Sequence, residues 1–146
     1  MTPDVNVLIA ASRSDHPHHG VAYACLSEAV TACADGASLK LMPMVVGSFL
    51  RLVTNPKIFI QPTPIESAVG FIDALLATPG IEMPSLATEW PILRQLCLEK
   101  KLAANDIPDA WLAAAVMQLG EHLVTFDADF KRLLKKSQVT ILITNA

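Results

Sequence analysis

The sequence is poor in charge, in aromatic side chains and in cysteine, and each shortage excludes something. Charged residues make up 17% of the 146, aromatic residues 5%, and hydrophobic residues 52%. A chain with so much apolar surface is not intrinsically disordered, because burying that surface offsets the entropy lost on folding. No apolar stretch approaches the roughly 20 residues that a membrane-spanning helix needs. The longest, Leu39 to Leu50, is interrupted by Lys40, Pro43 and Gly47. The opening Met1-Thr2-Pro3-Asp4 has no basic region of the kind that precedes a signal-peptide core, so a cytoplasmic protein that crosses no membrane is expected. Three cysteines (Cys25, Cys33, Cys97) cannot all pair, show no zinc-ligand spacing and have apolar neighbours; they read as small core residues in a reducing compartment. The net charge of -3 gives no bulk attraction for nucleic acid, so a polyanion would be met by local basic groups or bridging cations. One Tyr and two Trp do not suggest a base-stacking surface.

What is present is an alternation of short apolar runs with helical periodicity. The length suits one domain, residues 1–146. Apolar spacing predicts helices over Pro17 to Ala34, Met44 to Val53, Pro64 to Ala77, Thr88 to Lys101, Ile107 to Leu119 and, briefly, Ala128 to Lys135. Thr63 is the expected cap of the third, and Trp90, Leu93, Leu96 and Cys97 form the expected inner face of the fourth. Leu39 to Met42, Ile81 to Pro84, His122 to Phe126 and Val139 to Ile143 are the strand candidates, and a further strand should end at Asp4. This order predicts an α/β sandwich around a mostly parallel sheet.

The aspartates are unevenly distributed. Of eight, Asp106, Asp109, Asp127 and Asp129 fall within one short stretch, and Asp4 stands at the end of the first strand. Asp106 and Asp109 share a face at a helix N-terminus. Asp127 and Asp129 follow an apolar strand, and ligands of open α/β sheets bind beyond strand C-termini. Several ionised carboxylates share a small volume only if a cation neutralises them. Oxygen ligands without His or Cys select Mg²⁺, with Mn²⁺ as the alternative, and such ions promote phosphodiester hydrolysis. Taken singly, Asp106 and Asp129 could be helix caps and Asp127 a turn residue. Asp4 and Asp109 are harder to explain so, because apolar sequence surrounds both and a charge there needs a partner. A phosphatase with paired aspartates or a receiver domain fits poorly. The former's nucleophile should open the fold, and no Asp lies between Asp35 and Asp73 to serve the latter.

Four stretches carry a resemblance: Pro3-Asp4-Val5-Asn6-Val7-Leu8-Ile9, Gly47-Ser48-Phe49-Leu50-Arg51-Leu52-Val53-Thr54-Asn55-Pro56, Asn105-Asp106-Ile107-Pro108-Asp109-Ala110-Trp111-Leu112-Ala113-Ala114, and Leu123-Val124-Thr125-Phe126-Asp127-Ala128-Asp129-Phe130. In order and spacing they resemble the PIN-domain ribonucleases, in particular the VapC toxins of toxin–antitoxin pairs. The resemblance implies a PIN-like three-layer α/β/α sandwich and a Mg²⁺-dependent endoribonuclease. Asp4 and Asp109 would be metal ligands, Asp127 a further acid of the site with Asp129 its companion, and Asn6 and Thr125 supporting polar groups. It also implies an RNA substrate, a homodimer and a VapB-like antitoxin. Asp106 is an additional acid near the rim, and Arg51 a candidate RNA contact. One departure stands out: the family's Glu near Val45 or Val46 is absent, and no acid lies between Asp35 and Glu66. Catalysis impaired but not abolished is therefore expected, and the alternative is a catalytically impaired PIN-fold binding module acting through its antitoxin partner or RNA. His16, His18 and His19 read as a solvated turn and His122 as structural. Lys131, Arg132, Lys135 and Lys136 read as a solvated basic face.

Overall fold

The computed structural model describes residues 1–144. The first strand, β1 (Thr2–Pro3), ends at Asp4, which caps helix α1 (Val5–Ser12) by accepting the Val5 amide on Oδ1 at 2.7 Å. An aspartate at that point ends the strand after two residues. The apolar run behind it becomes a helix buried on most of its surface, with Val7, Leu8, Ile9, Ala10 and Ala11 all inside. Helix α2 (His19–Cys33) packs on α1, and β2 (Leu39–Lys40) leads into α3 (Pro43–Val53), whose proline occupies the first turn. Helix α4 (Ile65–Leu76), β3 (Ile81–Glu82), α5 (Trp90–Lys100) and α6 (Asp106–Leu119) follow. The Ala-rich α6 ends at Gly120 in the left-handed conformation and feeds β4 (Leu123–Thr125). Short 3₁₀ turns at Ala128–Arg132 and Lys136–Gln138 precede β5 (Val139–Ile141).

Every strand pair is parallel: β1 with β4, β4 with β5, and β2 with β3. A hydrogen bond from the Lys40 amide to the Met1 carbonyl (3.0 Å) connects the β2–β3 pair to β1. Leu123, Val124 and Thr125 are all buried, and successive strand residues face opposite ways, so both faces of β4 are covered. This is the expected sandwich. The Phe49 and Phe71 rings, 5.4 Å apart, join α3 to α4 within the core.

Several sequence expectations need correction. Helix α2 begins at His19, not Pro17, and α5 at Trp90, not Thr88; the strands are two or three residues long. Trp90 lies outward, 57% exposed, while Leu93 and Leu96 carry the inner face and Cys97 is half-buried. Thr63 caps nothing: its hydroxyl accepts from Arg13 Nη1 (3.0 Å), and Pro64 precedes α4. The histidine segment is partly buried, since His18 stacks on Phe126 and His19 Nδ1 bonds the Ala10 carbonyl at 2.9 Å. His122 is structural as expected, bridging the Ser137 carbonyl and the Thr140 hydroxyl.

Candidate active site

Parallel neighbours β1 and β4 end on the same rim, which brings their C-terminal residues together. The Asp4 amide donates to the Val124 carbonyl (2.9 Å), and Thr125, fully buried, donates its hydroxyl to Asp4 Oδ2 at 2.7 Å. Asn6 Nδ2 donates to Thr125 Oγ1 (3.1 Å), and Asn6 Oδ1 accepts the Phe126 amide (3.3 Å). The Asp127 amide donates to Thr125 Oγ1 at 3.0 Å. Thr125 is thus the junction that fixes Asp4, Asn6 and the start of the Asp127 turn. Each Asp4 oxygen accepts one hydrogen bond and retains a lone pair for another ligand.

Helix α6 delivers the remaining acids. Asp4 and Asp109 line one cleft of about 350 Å³ with Val5, Met44, Val45, Ser48, Arg51, Leu52, Ile107, Pro108, Trp111 and Leu112. Burial, with the charges of Asp4, Asp127, Asp129 and Asp106, raises the Asp109 carboxyl to about 6. Carboxylates from three separate parts of the chain therefore act on Asp109. Burial also raises Asp4; the Thr125 and Val5 hydrogen bonds counter this, and the Asp127 charge adds to it.

The structure separates the acids' roles. Asp127, not Asp129, caps the following 3₁₀ turn, accepting the Asp129 amide at 2.9 Å; Asp129 is exposed. Asn105, not Asp106, occupies the cap position of α6, and Asp106 instead pairs with Arg132 at 3.6 Å. Lys131, Arg132, Lys135 and Lys136 are all exposed, as expected of a solvated basic face, and Arg132 reaches from it to Asp106. Val45 and Val46 are buried, and Val45 forms cleft wall. Among the described residues, no three His, Cys, Asp or Glu side chains stand close enough, as placed, to hold a metal ion. The donors that converge are carboxylate oxygens, which fit Mg²⁺ or Mn²⁺ with water completing the shell.

Sequence reasoning missed Glu89. It is 3% exposed, its Oε1 accepts Trp111 Nε1 at 2.9 Å, and its Oε2 accepts the Ala87 amide at 2.8 Å. Burial works to raise this carboxyl, but the bonds from Trp111, its own amide and Ala87 outweigh burial and hold it below the usual range. Both its oxygens are taken by these bonds, and it does not line the cleft of Asp4 and Asp109. Nothing in the sequence signals it, because its partner Trp111 lies on the following helix.

A parallel sheet whose strand ends present carboxylates to a helix N-terminus defines the class of protein. Residues 1–136 match the PIN domain model, and the chain belongs to the PIN-domain family. Within that family its similarity is to proteins named VapC. It is 36% identical to Ribonuclease VapC25 of Mycobacterium tuberculosis over 131 residues, covering 88% of this chain and 89% of the relative. Against Ribonuclease VapC31 of the same species the identity is 37% over 133 residues, with the same coverage. Two solved structures share the fold. One is VapBC2 from Rickettsia felis bound to a promoter DNA fragment (TM-score 0.60, 19% identity, covering 90% of this chain and 91% of that one). The other is M. tuberculosis VapC20, a sarcin-ricin loop cleaving toxin (TM-score 0.62, 16% identity, covering 90% and 92%).

Proposed function

We propose that this chain is a metal-dependent endoribonuclease, the toxin half of a toxin–antitoxin pair. The observation that carries the reading is the cleft that Asp4 and Asp109 line together, with Asp127 anchored through its amide to the same Thr125 hydroxyl that holds Asp4. Relatives named Ribonuclease VapC, aligned over most of the chain, support the choice of RNA.

In this reading Asp4 and Asp109 would hold Mg²⁺, with Asp127 beside them and Asp106 and Asp129 adding negative charge. The ion, when bound, supplies positive charge that activates water and offsets charge developing on the phosphate. The chain's own residues do the rest. Thr125 and Asn6 keep Asp4 oriented, Arg51 offers the phosphate a guanidinium, and Val5, Met44 and Leu52 form an apolar wall beside it. Exposed Ile58, Ile60, Ile65 and Val69 supply apolar surface for a VapB-like antitoxin or a second copy of the chain in a homodimer. No described helix is long and apolar enough to cross a membrane.

Cleavage of RNA in Mg²⁺ or Mn²⁺, lost in excess EDTA and reduced at least about 100-fold in Asp109→Asn, is the expected result. Cutting that persists in chelator would overturn the metal mechanism. A second reading has its own observation: valines stand where the family's Glu is expected, and no three ligands are preassembled. A chain that binds its antitoxin and cuts no RNA at any metal concentration would be a PIN-fold binding module.

A further inference from the structure

Trp111 is unusual among the large side chains near the site. It is 44% exposed, lines the cleft that holds Asp4 and Asp109, and stands on the same helix turn as Asp109. Its ring is not free to reorient, because Nε1–H is taken by Glu89, a buried carboxylate with no cationic partner among the described residues. The bond holds the indole in one orientation beside the acids. Arg51 lines the same cleft and forms no ion pair among the described residues. It is a cation available to an incoming anion in a site otherwise hostile to one. The cleft, about 350 Å³, is in the range that holds a small ligand rather than a double helix. A fixed aromatic face, a free guanidinium and metal-binding acids in one small cleft match a single nucleotide: base, phosphate and scissile bond.

We propose that Trp111 is a stacking platform for a nucleobase next to the scissile phosphate, that Arg51 takes the phosphate, and that Glu89 is the positioning residue that fixes the indole. A base stacked on Trp111 must be unpaired and out of its own stack, because a paired base has no face to offer. This rests on the ribonuclease reading and sharpens it.

The test uses the full chain carrying Asp109→Asn to stop turnover and Trp90→Phe, which leaves Trp111 the one tryptophan. The probe is a pool of RNA hairpins with randomised loops, set against a fully paired RNA duplex. Trp111 fluorescence is quenched by the hairpin pool and not by the duplex. Trp111→Leu, which keeps apolar volume, weakens hairpin binding roughly 5- to 100-fold, and Trp111→Tyr, which keeps a stacking face, stays within about 3-fold. Glu89→Gln, which retains an acceptor for the indole, binds like the parent, whereas Glu89→Leu loses affinity. In chains with Asp109 intact, Trp111→Leu raises KM more than it lowers kcat. Equal binding by Trp111→Leu and the parent, or equal quenching by duplex and hairpin, overturns the proposal and leaves the ribonuclease reading standing if the native chain cuts RNA. A native chain that neither binds nor cuts any RNA in Mg²⁺ or Mn²⁺ removes both.

Discussion

At the scale of single residues, Thr125 is the side chain on which the site depends most, although it carries no charge. Its hydroxyl donates to Asp4 and accepts from Asn6 and from the Asp127 amide, all in a fully buried position. Thr125→Val keeps the shape and removes every one of those bonds. It should cost about 1–3 kcal/mol of stability in a urea titration, because the Asn6 and Asp127 donors and the Asp4 acceptor lose their partner. RNA cleavage should fall as well, since Asp4 is no longer oriented. Arg13 shows that a buried charge need not be functional. Its guanidinium binds Asp15, the Thr63 hydroxyl and the Gln61 carbonyl and lies 3.9 Å over the Phe59 ring, away from the residues of the cleft. A low count of aromatic residues hides a stacking surface, because position, not number, makes Trp111 a candidate.

At the scale of elements, the site is a consequence of strands that stop early. Both β1 and β4 end in residues that prefer to bond their own backbone: Asp4 caps α1 and Asp127 caps a 3₁₀ turn. Capping and site membership are therefore not alternatives here, since a carboxylate oxygen has more than one lone pair. The junction between α2 and β3 is equally constrained. Gly80 has φ +90°, and a Cβ there would stand 3.0 Å from both the Ala37 carbonyl oxygen and the Cys33 Cβ. Gly80→Ala should therefore destabilise the chain by about 1–3 kcal/mol, read from thermal unfolding, while leaving cleavage per folded molecule unchanged. Helix periodicity located α3, α4 and α6 closely. It overran at α5, whose first residue Trp90 lies outward, because the preceding Glu89 turns inward to meet α6.

For the whole molecule, gathering carboxylates has a thermodynamic signature. Asp109 titrates near 6 in the folded chain, above its usual 3.8, so between those values the folded state holds more protons than the unfolded one. Stability in metal-free buffer should therefore fall as pH rises through that window, and the low-pH advantage is gone above about 6. Mg²⁺ competes with those protons, so its stabilising effect should grow as pH rises. At about 100 times its dissociation constant it should add about 2.7 kcal/mol. Thermal unfolding at pH 5 and pH 7.5, with Mg²⁺ and with EDTA, checks the sign, and Asp109→Asn should flatten both dependences.

The sequence by itself determined the alternation of elements and the parallel sheet, because these follow from local periodicity and capping chemistry. Four short motifs pointed to Asp4, Asp109 and Asp127 and to the Val45–Val46 departure, and the fold brings Asp4 and Asp109 to one cleft. Tertiary structure alone decided that Asp106 pairs with Arg132 and that Glu89 holds Trp111 against the cleft. Each depends on which side chains from different elements come within ion-pairing or hydrogen-bonding reach, and no spacing along the chain encodes that.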